Sequence, residues 1–302
     1  MSRASIPAAQ RLIIALLADG HLLVEGAPGL AKTRAIKSLA DGLEGEFQRI
    51  QFTPDLLPGD VTGTEIYRPQ EASFHFQKGP IFHNLVLADE VNRAPAKVQS
   101  ALLEAMAERQ VSAGSQTYDL PDLFLVMATQ NPIEQEGTYP LPEAQMDRFM
   151  MKISVDYPKS DAELSIVRLL QQEEGQSKDT LTSIPQSHVF AARDVIQRMA
   201  VSPAIEQYIV DIVMATRNPG DYGDKLLHWI DTGSSPRASI SLHRASRASA
   251  WLEDKDYVEP SDVQSVVHSI LRHRLIMTYD ALADHISPDD IIDELLRQVA
   301  VG

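Results

Sequence analysis

At 302 residues the chain exceeds what a single hydrophobic core usually organises, so two domains of unequal size are expected. Apolar residues make up 44% and charged residues 23%, with no low-complexity tract or internal repeat, which speaks against a disordered or fibrous protein. The lack of cysteine excludes disulfides, thiolate metal sites and a cysteine nucleophile, and 27 basic against 42 acidic residues leave a net charge of −15 that repels nucleic-acid backbones.

The first apolar run, residues 12–18, is closed by Asp19 and is too short to span a bilayer. It carries no small-residue cleavage site, so a cytoplasmic protein without a transmembrane segment is expected. Residues 21–25, 85–88, 123–128 and 151–155 read as short strands, and 32–43 and 95–108 as helices, the latter with Val98, Leu102, Ala105 and Met106 on one face. Alternating strands and helices predict an α/β core around a parallel sheet, whose ligands bind beyond the strands' C-terminal ends. Past Pro158 the strand pattern stops. Residues 191–199, 203–217, 241–254 and 260–275 carry helical periodicity, several opened by Ser, Pro or Asp, which predicts a second, helical domain.

Gly26-Ala27-Pro28-Gly29-Leu30-Ala31-Lys32-Thr33 follows the first strand directly and opens a helix. Phosphate binding needs backbone N–H groups that close around oxygens, a helix N-terminus behind them, a Lys for the β and γ phosphates and a hydroxyl for Mg²⁺. Gly26, Gly29, Lys32 and Thr33 meet that demand. Ala31 stands where the general pattern has Gly, and a methyl fits there only at negative φ. The competing reading is an ordinary Gly/Pro turn before a helix.

The strand ending at Ala88 delivers Asp89 and Glu90. In a phosphate-loop ATPase the first acid holds Mg²⁺ through its water shell, as Thr33 does directly, and the second polarises the attacking water. Two solvated carboxylates are the alternative. A third strand ends Ala128-Thr129-Gln130-Asn131-Pro132, where Asn131 either orients water and γ-phosphate or merely starts an Asn-Pro turn.

These residues resemble the AAA+ ATPases and, within them, the MoxR family. The resemblance is carried by residues 26–33, Phe52-Thr53-Pro54-Asp55-Leu56-Leu57-Pro58-Gly59-Asp60, Leu87-Ala88-Asp89-Glu90-Val91-Asn92-Arg93-Ala94, Ala128 to Pro132, and Leu141-Pro142-Glu143-Ala144-Gln145-Met146-Asp147-Arg148-Phe149. It implies an AAA+ nucleotide-binding core over 1–157, with an insert in the second helix at 52–82 and a pre-sensor hairpin at 110–120. A connecting helix and linker at 158–186 and an all-helical lid at 187–302 follow. It also implies ATP with Mg²⁺, a nucleotide cradle of Gly26 to Arg34 with Asp89, and Glu90 and Asn131 at the reaction centre. Arg148 is implied as a finger for the neighbouring subunit, against a salt bridge to Asp147 or Glu143. Arg237, after Gly233-Ser234-Ser235-Pro236, resembles the second sensor that reaches its own subunit's phosphates. The family further implies a homo-oligomeric ring, expected to be a hexamer, that remodels or helps mature protein complexes with a von Willebrand factor A domain partner and a protein client. A metal-chelatase motor subunit and a nucleic-acid motor remain alternatives. Arg272, His273 and Arg274 are expected on a solvated helix face.

Overall fold

The computed structural model describes residues 8–26, 32–114, 116–131, 137–155, 163, 164, 168 and 183–301, the side chains of 32–34 excepted. Five parallel strands form the central sheet: β1 (Leu22–Gly26), β2 (Phe47–Gln51), β5 (Leu85–Asp89), β8 (Leu125–Gln130) and β9 (Met151–Val155), in the order β2-β5-β8-β1-β9. Four of them lie where the apolar runs predict; β2 carries only one fully buried residue, Ile50, and has no such run.

The inner strands are apolar on both faces because both faces are covered. Leu22, Val24, Leu85, Leu87, Leu125 and Met127 belong to one core. Their neighbours Leu23, Val86, Ala88, Val126 and the buried face of α4 (Ala96–Glu108) belong to the other. The first core receives α1 (Ala8–Leu17) and runs without a break into the C-terminal helices, through Ile205, Leu242, Val266 and Leu295.

Residues 52–82 leave the sheet and form α3 (Pro58–Thr62) and an antiparallel hairpin, β3 (Gly63–Arg68) with β4 (Ser73–Lys78). A second hairpin, β6 (Gln110–Ala113) with β7 (Gln116–Asp119), turns at Gly114, whose φ of 58° favours glycine.

The C-terminal helices are α6 (Gln186–Arg198), α7 (Pro203–Arg217), α8 (Asp224–Trp229), α9 (Pro236–Leu252), α10 (Pro260–Leu271), α11 (Tyr279–Ala283) and α12 (Pro288–Gln298). Ser202, Ser235 and Ser287 cap α7, α9 and α12, each followed by Pro in the first turn. This part is not purely helical, because Ile230–Thr232 and Ile276–Met277 pair as a short antiparallel ribbon, β10 and β11. The expected solvated face at 272–274 is also corrected: His273 and Arg274 are buried, and Arg272 pairs with Asp289.

His21 shows what the seam between sheet and helices demands. Its Nδ1 accepts from Val126 N–H at 3.0 Å, so Nε2 carries the proton and donates to Met106 O at 3.3 Å. Burial, helped by the nearby Arg109 charge, lowers its pKa from 6.5 to about 4. Below pH 6.5 the unfolded chain takes up a proton that the folded one refuses until about pH 4, so stability is lost as the pH falls through that window. His21 alone should remove about 2 kcal/mol between pH 7 and pH 5. Buried His273, lowered for the same reason, adds in the same direction. Urea midpoints at the two pH values test this; an unchanged midpoint would mean that His21 is protonated in the fold.

Candidate active site

β5, β8 and β1 are neighbours, so their C-terminal ends bring Asp89, Asn131 and Gly26 to one edge across two strand spacings, about 10 Å. Gly26 is close-packed: a Cβ would stand 2.5 Å from Val155 O, which explains a glycine here in physical terms. Ala27, Pro28, Gly29, Leu30 and Ala31 lie outside the described residues, and α2 (Lys32–Asp41) begins directly after them. Lys32, Thr33 and Arg34 therefore occupy the first turn of a helix entered from the end of β1.

Asp89 is held from both sides. Thr129 Oγ1 donates to its Oδ1 at 2.5 Å, while Arg49 Nη2 meets Oδ2 at 2.6 Å. The same threonine hydroxyl accepts Glu90 N–H at 2.9 Å. Glu90 sits at φ 58°, ψ 49°, a left-handed conformation uncommon for a side chain of its size. Its Oε2 receives Gln51 Nε2 at 2.8 Å and faces Arg93 Nε at 3.2 Å. The sharp left-handed turn separates the two carboxylates: Asp89 is braced from both β8 and β2, Glu90 from β2 and Arg93. Asn131 is buried at the end of β8. Arg49, Gln51 and Thr129 were not singled out from sequence; the signal that could have found them is position at the ends of strands adjoining β5.

Among the described residues no group of three or more His, Cys, Asp and Glu could hold a metal ion. Any ion at Asp89 must then bring most of its ligands with it, and Asp and Thr oxygens suit Mg²⁺, which keeps waters and binds nucleotide phosphates.

Arg148 lies at the opposite edge. It follows α5 (Glu143–Met146) and precedes β9, beside Gly20 and His21 at the N-terminal end of β1. The five residues of β1, roughly 16 Å, separate this edge from Gly26 at the strand's other end. A cavity of about 380 Å³ opens here between core and helical domain, lined by Arg109, Arg148, Arg237, Arg244 and Arg274. The alternative of a salt bridge to Asp147 or Glu143 is not found: Asp147 pairs with Arg274 at 2.7 Å, and Arg148 has no ion pair among the described residues. Arg237, half-exposed, lies 3.9 Å from Asp147. It therefore stands beside Arg148 at the N-terminal end of β1, the edge away from Gly26 and Asp89. The reason is that α9, whose first turn carries it, packs on the N-terminal side of the sheet through Ser235 Oγ, which donates to Asp147 at 2.8 Å.

A parallel sheet in this order, a helix entered from a phosphate-loop sequence, and a braced Asp-Glu pair at the strands' C-terminal ends define an ATPase of the AAA+ class. Residues 21–151 match the ATPase family associated with various cellular activities (AAA), and residues 229–295 match the AAA lid domain. The chain is 48% identical over 293 residues to Chaperone MoxR1 of Mycobacterium tuberculosis, covering 97% of this chain and 77% of that protein. It is 32% identical to Protein MoxR of Methylorubrum extorquens, covering 92% of this chain and 85% of that one. A crystal structure from Cytophaga hutchinsonii, of a protein assigned as an ATPase, superposes with a TM-score of 0.89 at 47% identity, over 97% of this chain and 89% of its own. The chain belongs to the MoxR family of AAA+ ATPases.

Proposed function

We propose that the protein works as a ring, most simply a hexamer, that hydrolyses MgATP between subunits and uses the energy to remodel or help assemble other proteins. One observation carries this reading: Arg148 and Arg237 share a cavity at one edge of the sheet, while Asp89, Glu90 and Asn131 sit at the other. A single chain therefore holds two halves of different sites, and head-to-tail contacts that join them close into a ring when the rotation permits. In that ring residues 26–34 would cradle the nucleotide, and Thr33 and Asp89 would hold Mg²⁺, which would supply charge neutralisation on the phosphates. Glu90 takes the proton of the attacking water, Asn131 orients it, and the neighbour's Arg148 and Arg237 face the γ-phosphate.

The similarity to a protein named a chaperone supports protein clients, and the family resemblance supports a von Willebrand factor A domain partner. Tyr67 and Phe74, ring centroids 5.2 Å apart, stand exposed on the β3–β4 hairpin and suit contact with polypeptide. Specific ATPase activity should rise with protein concentration and be stimulated by protein clients far more than by single-stranded DNA. An activity per subunit independent of dilution would remove the shared-site reading, and strong, salt-sensitive stimulation by DNA would favour a nucleic-acid motor.

A further inference from the structure

Arg274 is a buried cation with an unusual set of partners. Its side chain is 2% exposed, and an unpaired guanidinium there would cost several kcal/mol. Nε donates to Asp147 Oδ1 at 2.7 Å, Nη2 to Asp147 O at 3.1 Å and Phe149 O at 2.6 Å, and Nη1 to Met150 O at 3.1 Å and to Ile270 O. All but the last grip the residues on either side of Arg148. His273 Nε2 adds a bond to Phe149 O at 3.1 Å, in the neutral form that its burial enforces.

An aliphatic side chain could fill this space, but it could not satisfy four carbonyls and a carboxylate at once, which is what the rigid guanidinium fork does. The second oxygen of Asp147 accepts from Ser235 at the start of α9, so the same carboxylate joins the turn before Arg148 to two parts of the lid. Arg148 itself, between the gripped residues, has no ion pair among the described residues and lines the cavity beside Arg237.

We propose that Arg274 is the positioning residue for Arg148, a clamp from the lid that sets the finger's aim, so that lid orientation in one subunit governs hydrolysis at its neighbour. This rests on Arg148 acting in trans, and the closing experiment separates the two claims. Arg274→Lys keeps the charge but offers donors from a single point, so it cannot span the carbonyls of 147, 149 and 150. In the full-length protein it should bind ATP and assemble, keep KM for ATP within about 2-fold, and lose about 100-fold in kcat, the scale of an ångström's misplacement. The complementation pattern is the readout that a merely structural role would not reproduce. Mixed with Lys32→Ala, Arg274→Lys should regain activity, because its intact phosphate loop meets an intact finger. Mixed with Arg148→Ala it should regain none, because both subunits lack a working finger. Rescue in that second mixture, or wild-type turnover of Arg274→Lys, overturns the clamp. Failure of Arg148→Ala to be rescued by Lys32→Ala instead overturns the finger. If Arg274→Lys does not fold, Asp147→Ala, which removes the carboxylate and spares the carbonyl bonds, carries the same test.

Discussion

A Glu90→Gln protein is expected to bind ATP as the wild type does and to hydrolyse it about 10²- to 10⁴-fold more slowly, the usual contribution of a positioned general base. The substitution preserves shape and removes only basicity. Thr129 still braces Asp89, and Gln51 and Arg93 still flank position 90, so the groups proposed to bind nucleotide and Mg²⁺ are untouched. The left-handed backbone at 90 is fixed through its N–H and does not depend on the carboxylate. Fluorescent-nucleotide binding beside steady-state turnover checks it. Wild-type turnover would mean that another group activates the water.

Arg148→Ala should cost roughly 10³-fold or more in turnover with ATP binding little changed, as for arginines supplied in trans to a transferring phosphoryl group. The loss follows from where Arg148 sits: it has no ion pair among the described residues, and its turn is held by Arg274 rather than by its own charge. Its removal should leave thermal stability near wild type, which separates it from a core defect. Mixing Arg148→Ala with Lys32→Ala supplies the complementary test, since some interfaces then pair an intact loop with an intact finger. A fully active Arg148→Ala protein would sink the proposal.

Most of the sheet was readable because an inner parallel strand must be apolar on both faces, and Leu85 to Ala88 before Asp89 announces both the strand and the end that carries chemistry. β2 escaped because it is an edge strand in which Gln48, Arg49 and Gln51 interrupt any apolar run. The contacts of Arg49 and Gln51 with the acidic pair went with it, since they exist only once β2 lies beside β5. Arg274 was misread for a related reason. A run of Arg, His and Arg looks solvated until the carbonyls of 147–150, more than 120 residues earlier, arrive to receive its donors. Periodicity reports which face is buried; it cannot report which polar groups meet there.

The strand order also constrains how the chain is made. β1, which carries the phosphate loop, is flanked by β8 and β9 and by neither of the strands nearest it in sequence. On a ribosome it has no sheet partner until roughly 100 further residues, through Leu125–Gln130, have emerged. At a synthesis rate of about 5–20 residues per second that wait is roughly 5–20 s, with Leu22, Leu23 and Val24 exposed throughout. A parallel sheet closed by its latest strands is slow to form and prone to aggregation meanwhile. On these grounds the chain would itself be a demanding client for chaperones during its own synthesis.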